Sequence, residues 1–107
     1  MLDEQEFRHT ADAAIEALKK HLFAREDEQN AGFEVEEQNG VLQVLFEEPA
    51  GKFVITPNAP VRQIWISARS TSFKLEWESK SKQFVLPRTN EALLALVDRL
   101  IEEQQEG

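Results

Sequence analysis

The chain contains no cysteine, which excludes disulfides, a thiolate nucleophile and any cysteine-ligated zinc or cluster site. A metal would have to be held by oxygen or by His9 and His21, the only two histidines. Glycine is scarce, four residues in 107, and there is neither a Gly-rich phosphate loop ending in Lys-Ser/Thr nor a G-x-S-x-G elbow. Nucleophilic catalysis finds no support, and no catalytic residue is assigned. No apolar run approaches the roughly 20 residues that cross a bilayer, and the start "MLDEQEF" is acidic where a secretory signal is basic. A cytoplasmic location is the expectation. Basic residues are the minority, 12 against 20 acids, and the net charge of −8 argues against binding nucleic acid through its phosphates.

What is present describes an ordinary globular chain, 41% hydrophobic and 30% charged, long enough for one core and a single domain over 1–107. The charge is uneven. Residues 1–37 carry eleven acids against Arg8, Lys19, Lys20 and Arg25, a net −7. Residues 52–90 carry seven bases against Glu76 and Glu78, a net +5, so the domain is expected to be an electrical dipole.

"LDEQEF" has the signature of a helix start: Asp3 as N-cap, Glu6 as its capping-box partner, and Leu2 with Phe7 as a hydrophobic staple. Phe7, Ala11, Ala14, Ile15, Leu18 and Leu22 follow at helical spacing, predicting a helix of about 20 residues with one apolar stripe. From Phe33 the period becomes two. "FEVEE", "VLQVLF", "KFVIT", "RQIWIS", "SFKLEWE" and "KQFVL" are six short runs separated by turn signals, Asn39-Gly40 being the strongest. Connections this tight predict an antiparallel meander. Thr89 or Asn90 is expected to cap a second helix on Leu93, Leu96, Val97, Leu100 and Ile101, ended by a solvated tail "EEQQEG". The predicted fold class is α+β: a two-layer sandwich in which two roughly parallel terminal helices cover one face of a six-stranded antiparallel sheet.

The other sheet face is then open to solvent. Alternation in "VRQIWIS" sends Ile64 and Ile66 inward, and Gln63, Trp65 and Ser67 outward. An outward tryptophan can cover the sheet by stacking on long neighbours. It can also be a docking anchor, with Gln63 free to hydrogen-bond a partner, and that is the reading favoured here. Trp77 shares a face with Phe73 and Leu75 and is expected in the core beneath the helices.

The acids form the second candidate. Asp12 and Glu16 lie on the solvent side of the first helix, Glu26, Asp27 and Glu28 follow its end, and Glu34 and Glu36 alternate outward from the first strand. If helix and strand share one edge, these carboxylates make a ridge. It is either a solvated face, with Lys20 paired to Glu16, or a weak multisite binder of a cation such as Fe²⁺, Fe³⁺, Mn²⁺ or Ca²⁺. A basic patch on another protein could meet the same ridge. His9 and His21 fit no zincin or di-iron spacing.

Taken together, "NAPVRQIWIS", "FKLEW", the "NGVLQVLF" hairpin and the acidic first helix resemble the frataxin family over essentially the whole chain, in its bacterial branch. The resemblance implies weak, surface-exposed iron (Fe²⁺/Fe³⁺) and a part in iron–sulfur cluster assembly, by docking on the cysteine desulfurase and its scaffold protein. It places the iron-binding ridge on Asp12, Glu16, Glu26, Asp27, Glu28, Glu34 and Glu36, and the docking surface on Gln63 and Trp65. The alternative is an acidic adaptor that acts without metal, and a monomer is expected when metal is absent. Three positions depart from the family pattern: Lys19 and Lys20 dilute the ridge, "SARSTSF" lacks the usual glycine, and Phe84 stands where a tryptophan is common.

Overall fold

The computed structural model describes residues 2–28 and 31–106. Helix α1, Glu4–Glu26, starts as its capping box predicts: the Glu6 N–H donates to Asp3 Oδ1 at 2.8 Å and the Asp3 N–H donates to Glu6 Oε1 at 3.1 Å. Leu2 packs against the core beside buried Phe7, and Ala11, Ile15, Leu18 and Leu22 extend the buried stripe.

Six strands follow where period-two alternation begins: β1 Phe33–Gln38, β2 Val41–Glu47, β3 Ala50–Asn58, β4 Gln63–Ala68, β5 Thr71–Glu78 and β6 Gln83–Leu86. A seventh, β7 Glu91–Ala92, corrects the expected count of six. Its two residues are too few to show alternation, and they pair antiparallel with Val85 and Leu86. The sheet runs in chain order from β1 to β7, every neighbour antiparallel. Asn39 and Gly40 take φ of 53° and 80° in the first hairpin, as an Asn-Gly turn demands. The glycine-free β4–β5 turn reaches the same region with Arg69 at 52° and Ser70 at 65°.

Helix α2, Leu93–Glu106, begins after β7, so neither Thr89 nor Asn90 is its cap; the Thr89 hydroxyl instead accepts from the Glu91 N–H at 3.3 Å and donates to the Glu91 carboxylate at 2.7 Å. The expected solvated tail is also corrected. Gln104 follows Ile101 by three and Leu100 by four, continuing the inward stripe; it is buried, and its Nε2 donates to the Pro49 carbonyl at 2.9 Å. Gln105 likewise donates to the Ala31 carbonyl at 2.5 Å. The last turn of α2 thereby fastens both the β2–β3 turn and the segment leading into β1.

Inward residues of the strands meet the two helices in one core. Phe53, Ile55, Ile64, Ile66 and Leu75 rise from the sheet toward Leu18, Leu22, Leu96, Leu100 and Ile101. Phe46 packs on Phe53 with ring centroids 4.8 Å apart, and Phe7 meets Phe84 edge-on at 5.7 Å. The helices cover only this face, and the opposite one carries Glu34, Glu36, Gln43, Lys52, Gln63, Trp65, Lys74 and Glu76 by register. Among the described residues no helix is long and apolar enough to cross a membrane.

Candidate functional site

Register fixes what surrounds Trp65 on the open face. It lies opposite Thr56 on β3 and Lys74 on β5, and it is half-buried. Its Nε1–H donates to Gln63 Oε1 at 2.7 Å, the Gln63 amide donates to Glu76 at 3.2 Å, and Lys74 Nζ stands 4.9 Å from the indole centroid. The ring is therefore held by two contacts, Gln63 at its Nε1 edge and Lys74 over its face. Gln63, expected to be free for a partner, spends both halves of its amide inside the molecule. Lys74 and Glu76 complete the platform and were not singled out from the sequence, although strand pairing between "RQIWIS" and "SFKLEWE" could have found them. Before the platform, Arg62 takes a left-handed φ of 56° and its guanidinium donates to the Ala59 carbonyl at 2.6 Å, closing the turn that delivers Gln63. Val61 in that turn is an exposed apolar side chain.

Trp77 faces the helices and packs against the core as expected, but it is only partly buried. It is half-buried at the rim of an apolar cavity of about 360 Å³ floored by Ala13, Ala14 and Ala17 of α1, with its ring 5.3 Å from that of Phe84. The small alanines leave the ring uncovered on one side.

The acidic residues divide into groups rather than forming one ridge. Asp12 sits near Arg8 and Pro57, toward the N-terminal end of α1. Glu16 is held by Lys19, whose Nζ lies 2.9 Å from Glu16 and 3.2 Å from Glu37. The expected Lys20–Glu16 pair does not form, because the salt bridge that Glu16 makes is with Lys19 at i+3. The hydrogen bonds to these two carboxylates raise the Lys19 pKa above its ordinary value. Glu37, passed over in the sequence, is the β1 carboxylate on the helix side, while Glu34 and Glu36 point from the opposite face. The acids thus wrap around the β1 edge of the sheet.

At the far end of α1, Glu26 accepts from the Val35 N–H at 3.3 Å, covering a donor of the edge strand. Asp27 is the C-cap, and both it and Glu28 are exposed. Carboxylates at a helix C-terminus oppose the macrodipole, which makes this end of α1 an unfavourable place for three acids. From Asp12 to Glu26 the helix rises about 21 Å, too far for these residues to share one ion. Among the described residues no three His, Asp or Glu side chains converge on a metal position. His9 is exposed, whereas His21 Nε2 lies 2.9 Å from Asp98, which also accepts from Arg25 at 2.7 Å and so ties α1 to α2.

Comparison with known proteins gives one family. The family model described as the frataxin-like domain matches residues 1–107. The iron–sulfur cluster assembly protein CyaY of Pseudomonas putida (strain GB-1) is 32% identical over 103 residues, covering 96% of this chain and 89% of that protein. The protein of the same name from Pseudomonas aeruginosa is 29% identical over 90 residues, covering 84% and 82%. A solved frataxin from Psychromonas ingrahamii superposes with a TM-score of 0.76 over 98% of this chain and 93% of its own; at 18% identity it speaks for the fold.

Proposed function

The chain belongs to the frataxin family, and from that premise we propose that it serves cytoplasmic iron–sulfur cluster assembly, docking on the cysteine desulfurase and its scaffold protein and binding iron weakly as cargo. The observation that carries the reading is an uncovered sheet face with a tryptophan held in place by Gln63 and Lys74. A ring already fixed in one orientation loses little freedom on binding, which favours its use as an anchor. Trp65 and its neighbours would contact one partner surface. The acidic edge at Asp12, Glu26, Asp27, Glu28, Glu34 and Glu36 would meet a basic surface.

Iron would bind to the same edge through one or two carboxylates at a time, with water completing its coordination. Asp27, Glu28, Glu34 and Glu36 support this, because none of them makes a salt bridge among the described residues and three acids crowd the negative end of α1. A metal-free adaptor is the second reading, favoured by the lack of a converging ligand set among the described residues. No catalytic step is proposed.

An NMR titration with Fe²⁺ under anaerobic conditions, followed by the desulfurase, tests both readings. Iron is expected to broaden amides within 12–36 and leave 60–90 unchanged, at roughly micromolar affinity or weaker that falls with salt. The desulfurase and scaffold together are expected to shift the edge and the Trp65 platform. Docking without any iron response favours the adaptor, and a titration in which neither surface responds removes the proposal.

A further inference from the structure

Lys19 is placed where a cation would otherwise stand. Its ammonium touches one oxygen of Glu16 on α1 and one of Glu37 on β1, at 2.9 and 3.2 Å, and so joins two elements as an ion would. Its side chain is only 21% exposed, against 48% for Glu16, so it is packed down rather than swinging in solvent. Lys20 beside it is exposed and makes no salt bridge among the described residues.

We propose that Lys19 is a tethered counter-ion that excludes metal from Glu16 and Glu37 and so determines which carboxylates of the acidic edge carry iron. The inference rests on the iron-binding reading above and alters it: of the ridge residues, Glu16 is removed from the ligands, and iron is left to the carboxylates that Lys19 does not touch. The charge count supports this. Two carboxylates with an ammonium between them leave a net −1 for an arriving divalent ion, whereas Glu26, Asp27 and Glu28 present −3. An ion entering between Glu16 and Glu37 must also displace two ammonium hydrogen bonds.

The test compares the natural chain with Lys19→Met, Lys19→Arg and Lys20→Met, using anaerobic Fe²⁺ and, as a paramagnetic probe, Mn²⁺, read by amide broadening. In the natural chain and in Lys19→Arg, broadening is expected around 26–28 and 34, and to be weak at 16–19 and 37. Lys19→Met should extend it to 16–19 and 37, with affinity there rising about fivefold or more, the effect of removing one unit charge at contact distance. Lys20→Met should not reproduce this. If metal binds only after Lys19→Met, the exclusion from Glu16 and Glu37 stands, while iron binding by the natural chain, and with it the choice of carboxylates that carry iron, falls. If the natural chain already broadens 16–19 as strongly as 26–28, or if Lys19→Met matches Lys20→Met, the inference falls while iron binding stands. If no variant binds either metal, both fall.

Discussion

Trp65 and Trp77 differ in what their loss should remove. Trp65→Ala deletes a ring lying on the open face against Lys74, with one hydrogen bond to Gln63, so it is expected to cost about 1 kcal/mol of stability. It should nonetheless weaken association with the desulfurase and scaffold by about 2 kcal/mol, the scale of an interface hot spot. Trp77→Ala removes a ring packed on Phe84 but open toward the cavity, and is expected to cost about 2 to 3 kcal/mol, below the roughly 3 to 5 kcal/mol of a fully buried aromatic, while docking is unchanged. Urea midpoints and partner affinities for the two variants check this; a Trp65→Ala protein that docks normally would remove the anchor. Strand alternation alone gives the side of the sheet on which each tryptophan lies. It does not show that Gln63 is already engaged, nor that alanines on α1 leave Trp77 half-covered, because both depend on partners distant in sequence. The acids were legible as residues, yet their division around β1 was not. Helix and strand carboxylates share an edge in space, but Glu37 and Glu34 leave it on opposite faces.

Between elements, two polar fastenings should be measurable. Glu91 of β7 receives Arg99 of α2 through two contacts, 2.7 and 2.9 Å, and the guanidinium holds its carboxyl below the usual carboxylate range. A carboxyl whose folded pKa is depressed contributes stability above its unfolded pKa and loses it as pH falls through the folded value. Glu91→Gln is therefore expected to cost about 0.5 to 1 kcal/mol at pH 7, discounted for partial exposure, and nothing at an acidic pH well below the folded pKa of Glu91, where the natural side chain is also neutral. Thermal unfolding at the two pH values measures the difference. The second fastening is Gln104. An added Cβ on Gly51 would lie 2.7 Å from Gln104 Nε2, so Gly51→Ala must push that amide off the Pro49 carbonyl. Each single change is expected to cost about 1 to 2 kcal/mol. In a Gln104→Ala background, Gly51→Ala should cost much less, and a double-mutant cycle reads the coupling. Capping box, turn residues and periodicity made α1 and six strands legible beforehand. β7 was missed because two residues carry no period, and Gln104 because a polar side chain was taken to end an apolar stripe that continues for another turn.

For the molecule as a whole, the net charge of −8 and the crowding of acids at one edge set the response to ions. Salt or divalent cations should raise the melting temperature by a few degrees, since they screen or neutralise like charges held close only in the folded state. Asp27→Asn with Glu28→Gln should stabilise the fold by about 0.5 kcal/mol, relieving the helix C-terminus, while weakening iron binding. A loss of stability on that double change would mean that these acids support the fold. The order of the sheet bears on something else, the route by which the chain reaches this structure. Every strand is hydrogen-bonded only to its neighbours along the chain, so each hairpin closes over a short loop and the sheet can grow like a zip, with little entropy lost at each step. Helix α1 has the opposite problem. Made early on the ribosome, it carries Phe7, Ile15, Leu18 and Leu22 exposed until strands some 20 to 70 residues later provide the surface they cover. During synthesis, then, the stripe on α1 is the part of this molecule most in need of a chaperone.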